Sequence, residues 1–224
     1  MAVPQRIVSL LPSSTEILCA LGLETRLVGL SHLCDYPPHM MHLPRLTAPA
    51  CPTPAGNHGG AGARQTLVGA GLSAYHLDID LLCALRPDLI VTQDRTAVSS
   101  VSDAEMLEAT RRVLGAHVDV LSLHPTFLQD IWDDIYRLGE ITGQSQPAAA
   151  LLDGLFARVN AIVAESIMVR QPPRVAVLVW HEPLTLAGSW LPDLIQLAGG
   201  DVWPVSPGVP CRHRGVGDTP GLCP

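Results

Sequence analysis

Pro147-Ala148-Ala149-Ala150-Leu151-Leu152-Asp153-Gly154-Leu155-Phe156-Ala157-Arg158-Val159-Asn160-Ala161-Ile162-Val163-Ala164-Glu165-Ser166-Ile167-Met168 repeats its apolar residues at helical spacing. Leu151, Leu155, Val159 and Ile162 share one stripe, and Leu152, Phe156, Val163 and Ile167 widen it. Pro147 suits a first helical position, and Pro172-Pro173 forbid continuation past Gln171. At about 1.5 Å per residue such a helix runs roughly 33 Å, enough to cross a small domain. The two flanks read alike. Arg6–Leu11 and Arg174–Val179 are both strand-like apolar runs, each followed by a helix and a glycine stop. The organisation that follows is two α/β lobes joined by one long helix. An undivided α/β domain, with this segment as an ordinary crossover helix, is the rival reading.

A chain of 224 residues, 47% apolar, can bury a substantial core. Its apolar runs are interrupted by charges and breakers, so no membrane span is expected. The N-terminus enters the first strand at once, without a basic region, an apolar leader or a cleavage site; this alone predicts a cytoplasmic chain. A net charge of -7 without a basic stripe argues against nucleic acid. The six cysteines show no CxxC spacing, and Cys19 and Cys83 read as small core residues.

In chain order, strand Arg6–Leu11 leads to Ser13 and Glu16, spaced as a capping box, and to a helix stopped at Gly22. Leu27–Leu30 completes a β–α–β unit, which implies parallel pairing. The next loop holds His32, Cys34, Asp35, Tyr36, Pro37, Pro38 and His39. Its four potential ligands fit no closed tetrahedral pattern, and metal, plain loop and ligand-facing loop all stay open. Its place at a strand's carboxyl end favours the last. Residues 48–63 read as a surface loop. Asp78 caps a short helix reaching Arg86, and strand Leu89–Thr92 ends at Gln93-Asp94. Ser102 and Glu105 open a helix stopped at Gly115; strand Val118–Leu123 follows. Thr126 and Gln129 cap the next helix, with Leu128, Ile131, Ile135 and Leu138 inward and Asp133, Asp134 and Glu140 on a solvated face. Beyond the linking helix, Trp180-His181-Glu182 ends a strand, Trp190-Leu191-Pro192 opens a helix, and Gly199-Gly200 closes it. After Pro204 no apolar period remains and an irregular tail is expected. The predicted domains are 1–125, a helical segment 126–170 with the linking helix 147–168, and 171–224.

The segments Arg6–Leu18, Leu27-Val28-Gly29, Cys34-Asp35-Tyr36-Pro37-Pro38, Arg86-Pro87-Asp88-Leu89 and Leu197-Ala198-Gly199-Gly200 resemble class III substrate-binding proteins of ABC importers. The resemblance is to the vitamin B12 and iron–siderophore type, nearest its cobalamin-binding branch, and covers roughly residues 5–203. It implies an α/β fold of two Rossmann-like lobes with parallel sheets, bridged by a helix, with ligand in the cleft between them. It implies capture and delivery rather than catalysis, with an ABC permease and ATPase as partners, a monomer, and extracytoplasmic location. By matched position it makes Tyr36, Tyr75 and Trp180 ligand-contacting aromatics. Pro12, Ser13, Gln93, Asp94, His181 and Glu182 fall at cleft-lining positions, and Asp80 where the family's acids dock on permease arginines. No intrinsic cofactor is implied; the ligand is cobalamin or a similar chelate.

Three readings follow. The first is a corrinoid or metal-chelate binding protein. The second is a metal-dependent hydrolase using His32, Cys34, Asp35 and His39. The third is a non-functional remnant, because the second lobe lacks strands to flank Val175–Val179 and a one-nucleotide frame shift is conceivable before the tail.

Overall fold

The computed structural model describes residues 3–49, 75–93, 118–181, 184–204, 207–208 and 212–213. The expected helix at 102–115, the loop 50–63, Asp94 and Glu182 lie outside them. The chain divides into two compact units, 1–124 with 137–148 and 125–136 with 149–224.

The first unit is built on one parallel sheet. Its strands are β1 (Ile7–Ser9), β2 (Leu27–Leu30), β5 (Leu89–Thr92) and β6 (Asp119–Ser122), in the order β2-β1-β5-β6. β1 and β5 are buried at every position, as expected of central strands covered on both faces. On one face, Val8, Leu10, Leu46, Leu82, Ile90 and Val118 form a core cluster. Leu82 belongs to helix α2 (Ile79–Leu85), which follows strand β4 (Tyr75–Leu77). β4 pairs antiparallel with β3 (Thr47–Pro49), two strands that the sequence reading left in loops. Gly29 lies where Leu46 and Leu85 press against the strand, and a Cβ there would collide with both.

The N-terminal segment is tied to β5 by Asp88. Its Oδ2 accepts the Gln5 N–H at 2.7 Å and its Oδ1 the Arg6 N–H at 2.9 Å. Arg26 donates to the carbonyls of Pro4 and Thr142, at 3.2 and 3.0 Å.

Helix α1 spans Pro12–Ala20 and starts ahead of the predicted capping box. Its N-cap is Leu11, with no side-chain cap; the Ser13–Glu16 box does not form. Helix α2 is capped as expected, Asp78 Oδ1 accepting the Leu81 N–H at 2.8 Å. At helix α3 (Leu128–Ile141) the capping differs from the Thr126–Gln129 expectation. Asp130 Oδ2 takes both the Thr126 and Phe127 N–H groups at 2.7 Å, and Asp193 takes that of Leu128 at 2.8 Å. Asp134 is 5% exposed, so it does not belong to the solvated face predicted for it, whereas Asp133 and Glu140 are exposed.

The long helix α4 runs Ser145–Ser166, two residues earlier at both ends than predicted. Only Ala148 on it is fully buried; Ile162 is half-exposed. By length and composition α4 could cross a bilayer. The boundary between the two units falls inside both α3 and α4.

The second unit holds three smaller pieces. β7 (Arg174–Val175) pairs parallel with β10 (Asp201–Val202). β8 (Leu178–His181), β9 (Leu184–Leu186) and β11 (Arg212–His213) form an antiparallel sheet ordered β11-β9-β8. Helix α5 (Leu191–Leu197) ends at Gly199 with φ of 82°, a value that glycine adopts without strain. The predicted single buried strand Arg174–Val179 is therefore two short strands. Leu178 and Val179 are more than half exposed, because among the described residues β8 has a partner, β9, on one side only. The irregular tail also needs amending. Arg212 pairs with Leu186 and His213 with Thr185, and the Gly208 N–H bonds to the Ser189 carbonyl at 3.2 Å.

Candidate ligand-binding edge of the first unit

Four parallel strands end on the same side, so the turns that follow them share one edge of the sheet. Pro12 and Ser13 follow β1, the loop 31–37 follows β2, and Gln93 follows β5. Arg45 bridges beside Leu30 in parallel, so the chain from Arg45 into β3 continues past that edge. Pairing of Pro49 with Tyr75 brings Tyr75 there too.

At this edge Tyr36 is 58% exposed and Ser13 is exposed, while Pro12, Tyr75 and Gln93 are half-buried. The rings of Tyr75 and His32 meet with centroids 5.1 Å apart and planes tilted by 57°. Two polar networks fix the loop that carries His32 and Tyr36.

One network centres on Thr47. Its hydroxyl lies 2.7 Å from His32 Nδ1, 3.0 Å from the His32 N–H and 2.9 Å from Ser31 Oγ. Thr47 accepts from the His32 N–H, and its hydroxyl can either donate to Nδ1 and accept from Ser31, or accept from a protonated Nδ1 and donate to Ser31; both satisfy all three contacts.

The other network is buried. Ser9, Ser14 and Thr15 are fully enclosed and Cys34 is 1% exposed. Cys34 Sγ lies 3.2 Å from Thr15 Oγ1, Thr15 Oγ1 2.8 Å from Ser9 Oγ, and Ser9 Oγ 2.6 Å from Ser14 Oγ. Ser14 Oγ lies 3.1 Å from the Leu11 carbonyl. Taken in that order each group donates once, and the chain ends on a carbonyl acceptor. Burial pushes the Cys34 thiol pKa up, and the hydrogen bond it shares with Thr15 offsets this only in part.

This geometry does not gather the four potential ligands of the 32–39 loop into one cluster. Cys34 is buried against Thr15, His32 faces Thr47 and Tyr75, and Asp35 and His39 are exposed. Among the described residues no three His, Cys, Asp or Glu side chains form a group that could hold a metal ion. Among the described cysteines Cys34 is the buried one; Cys19 and Cys83 are only half-buried.

In the second unit, Trp180 and His181 occupy β8 and lead into the β8–β9 connection. An open groove of about 470 Å³ lies between α3, α4 and α5, walled by Trp132, Val163, Asp193 and Leu197. None of the residues singled out from sequence for binding lines it. Sequence reading also missed Ser9, Thr15, Arg45 and Thr47. For Ser9 and Thr15 the available signal was small hydroxyl residues at the end of a buried strand and just beyond it. Asp80 is exposed in the first turn of α2.

Residues 7–206 match the family model described as periplasmic binding protein. A vitamin B12-binding protein of Vibrio cholerae is 34% identical over 198 residues, 88% of this chain and 59% of the relative. The chain thus spans less than two thirds of that protein's length. An ABC transporter substrate-binding lipoprotein of Bacillus subtilis is 20% identical over 181 residues, 80% of this chain and 48% of the relative. Among solved structures, the periplasmic vitamin B12 binding protein and the periplasmic heme binding protein of Vibrio cholerae each superpose with TM-score 0.66 at 22% identity. The former match covers 95% of this chain and 71% of that one, the latter 94% and 70%. The expected α/β fold of the two-lobed class is therefore the fold found. The expectation of a cytoplasmic chain is not borne out, since the matched family is periplasmic and the Bacillus subtilis relative is a lipoprotein. Neither the hydrolase reading nor the remnant reading gains support.

Proposed function

The chain belongs to the periplasmic binding protein family, a substrate-binding and non-enzymatic type, and from that premise we propose that it captures a corrinoid or related flat metal chelate for an ABC permease and ATPase. The observation that carries the proposal is the loop edge of the first unit, where the half-exposed ring of Tyr36 and the His32–Tyr75 ring pair stand beyond the ends of parallel strands. A corrin or porphyrin is a broad apolar disc with a polar fringe, and rings beside a few hydroxyls suit it. The similarity to B12-binding and heme-binding relatives supports the same class.

Pro12, Ser13 and Gln93 are the polar and shape contacts from the neighbouring turns, and Trp180 and His181, with Asp94 and Glu182, are the remaining proposed contacts. Titration of the intact chain with cyanocobalamin and with haemin, followed by absorbance and tryptophan quenching, tests the proposal. Tyr36→Ala should weaken the binding of the ligand that is captured by about 1–3 kcal/mol. Equal affinities for wild type and variant would remove Tyr36 from the site. Asp80 is the proposed permease-docking acid. As a rim charge, Asp80→Ala should slow association with the permease and reduce its salt dependence while leaving ligand affinity unchanged. A melting temperature lowered by several degrees with unchanged docking would make Asp80 structural instead.

A further inference from the structure

Two of the proposed contact segments, the Pro12-Ser13 turn and the Tyr36 loop, are joined by the buried side chains of Ser9, Ser14, Thr15 and Cys34, with the half-buried Arg45 holding the loop from its other side. We propose that Thr15 and Arg45 are positioning residues that lock the Tyr36 loop against the Pro12-Ser13 turn, so that ligand meets a preformed edge. The inference rests on the binding function proposed above and assigns how that site is held.

Cys34 is the node. Its N–H donates to the Ser31 carbonyl at 3.1 Å, its thiol meets Thr15 Oγ1 at 3.2 Å, and its carbonyl accepts from Arg45 Nη1 at 2.7 Å. All its polar groups are engaged, two residues before Tyr36. Arg45 Nη1 also donates to the Ser31 carbonyl at 2.8 Å, and Nη2 meets Met41 Sδ at 2.8 Å. A single guanidinium therefore pins both ends of the Ser31–Cys34 turn and the segment that leaves it, with charge-assisted bonds in a fixed fork. From Thr15 the hydroxyl chain through Ser9 and Ser14 ends on the Leu11 carbonyl, immediately before Pro12. Loss of the Thr15 hydroxyl would strand the Cys34 thiol in a dry site, where it must find another partner or move, while Ser9 keeps Ser14 Oγ at 2.6 Å and the Leu11 carbonyl at 3.2 Å. Nothing in this network requires ligand, so the clamp exists in the free protein. Preorganisation of this kind contributes to affinity by removing an ordering cost at binding.

The test uses the intact chain and two independent readouts. Amide hydrogen exchange in the ligand-free protein should accelerate in segment 31–37 for Thr15→Val and for Arg45→Gln, with β1 and β5 unchanged. Thr15→Ser should restore wild-type exchange. Cyanocobalamin and haemin titrations should show each disruptive variant weakening the captured ligand about tenfold, and adding little further loss in a Tyr36→Ala background, as for coupled residues. Unchanged exchange in 31–37 for both variants overturns the clamp. Faster exchange with unaltered affinity, or losses that add in full to that of Tyr36→Ala, overturns the positioning role. If wild type binds neither probe, the function proposed above fails and exchange alone decides the clamp. Should Thr15→Val not fold, Arg45→Gln carries the same comparison.

Discussion

The first unit encloses its sheet and the second leaves much of its own uncovered. β1 and β5 have no exposed residue, and Ile7, Val8, Leu89, Ile90 and Val91 are at most 1% exposed. In the second unit β8 presents Leu178 and Val179 at 57% and 56% exposure, and Ile167 and Met168 are more exposed still. Composition does not explain the difference, since Leu178 and Val179 are as aliphatic as the buried residues of β1 and β5. Topology does. β5 is flanked by β1 and β6, whereas among the described residues β8 pairs with β9 alone. An apolar strand becomes core only when neighbours exist on each flank and layers on each face. The hydroxyl chain and the Arg45 fork stand on the enclosed unit, where rigid strands can hold them.

Truncation at matched strand positions breaks this contrast most directly. Ile90→Ala, in the middle of β5, should destabilise the chain by about 3–4 kcal/mol, because the enclosed site cannot collapse around the cavity. Val179→Ala should change stability by no more than about 0.5 kcal/mol, as for an exposed side chain. Urea denaturation followed by circular dichroism measures both. Comparable losses at the two positions would mean that β8 is covered in solution, and the contrast would fall.

Carboxylate ties sharpen it at smaller cost. Asp88 joins its two N–H partners across 83 and 82 residues, whereas Asp130 serves donors only four and three residues away. Asp88→Ala should cost about 2 kcal/mol, since it frees the chain that leads into the central strand. Asp130→Ala frays one helix start and should cost about 1 kcal/mol. The same denaturation experiment ranks them. An equal or inverted ranking would show that long-range closure adds nothing to the first unit.

The same division governs what the residues reveal before any coordinates. Leu27–Leu30 and Leu89–Thr92 were legible at their observed bounds, and the Asp78 cap and the Trp190–Leu191 helix start were legible too, because local chemistry determines each. The Ser13–Glu16 box failed because Pro12 starts the helix earlier, and the Ser14 and Thr15 hydroxyls reach the Leu11 carbonyl instead. The burial of Asp134 was readable in principle. It stands three residues after Ile131 and four before Leu138, on the inward face, yet its carboxylate invited a solvated reading. Arg174–Val179 misled because an apolar run carries no mark of how many neighbours it will have. At the site, Tyr36 came from a resemblance, whereas Arg45 and Thr47 were hidden. Their partners in the 31–34 turn lie 11 to 16 residues away, and no period or cap announces such contacts.

The smallest effect expected is electrostatic and belongs to the first unit alone. Cys19 on α1 has its thiol pKa pushed from 9.0 to about 11, first by burial and then by the charges of Glu24 and Glu16. The thiol is therefore easier to ionise in the unfolded chain than in the folded one. Between these values the folded state binds more protons than the unfolded state, so stability falls as pH rises. The contribution is whole below pH 9, declines from there upward and is gone above about pH 11. The chain contains no lysine, so among side chains only thiols and tyrosines ordinarily titrate across this window, which makes the contribution separable. Cys19→Ser should narrow the gap between the melting temperatures at pH 8 and pH 10.5 relative to wild type. Substitution on the second unit, as in Val179→Ala, should leave that gap unaltered. A gap unaltered by Cys19→Ser would mean that this thiol ionises as readily folded as unfolded, and α1 would then lie more open to water than the enclosed unit requires.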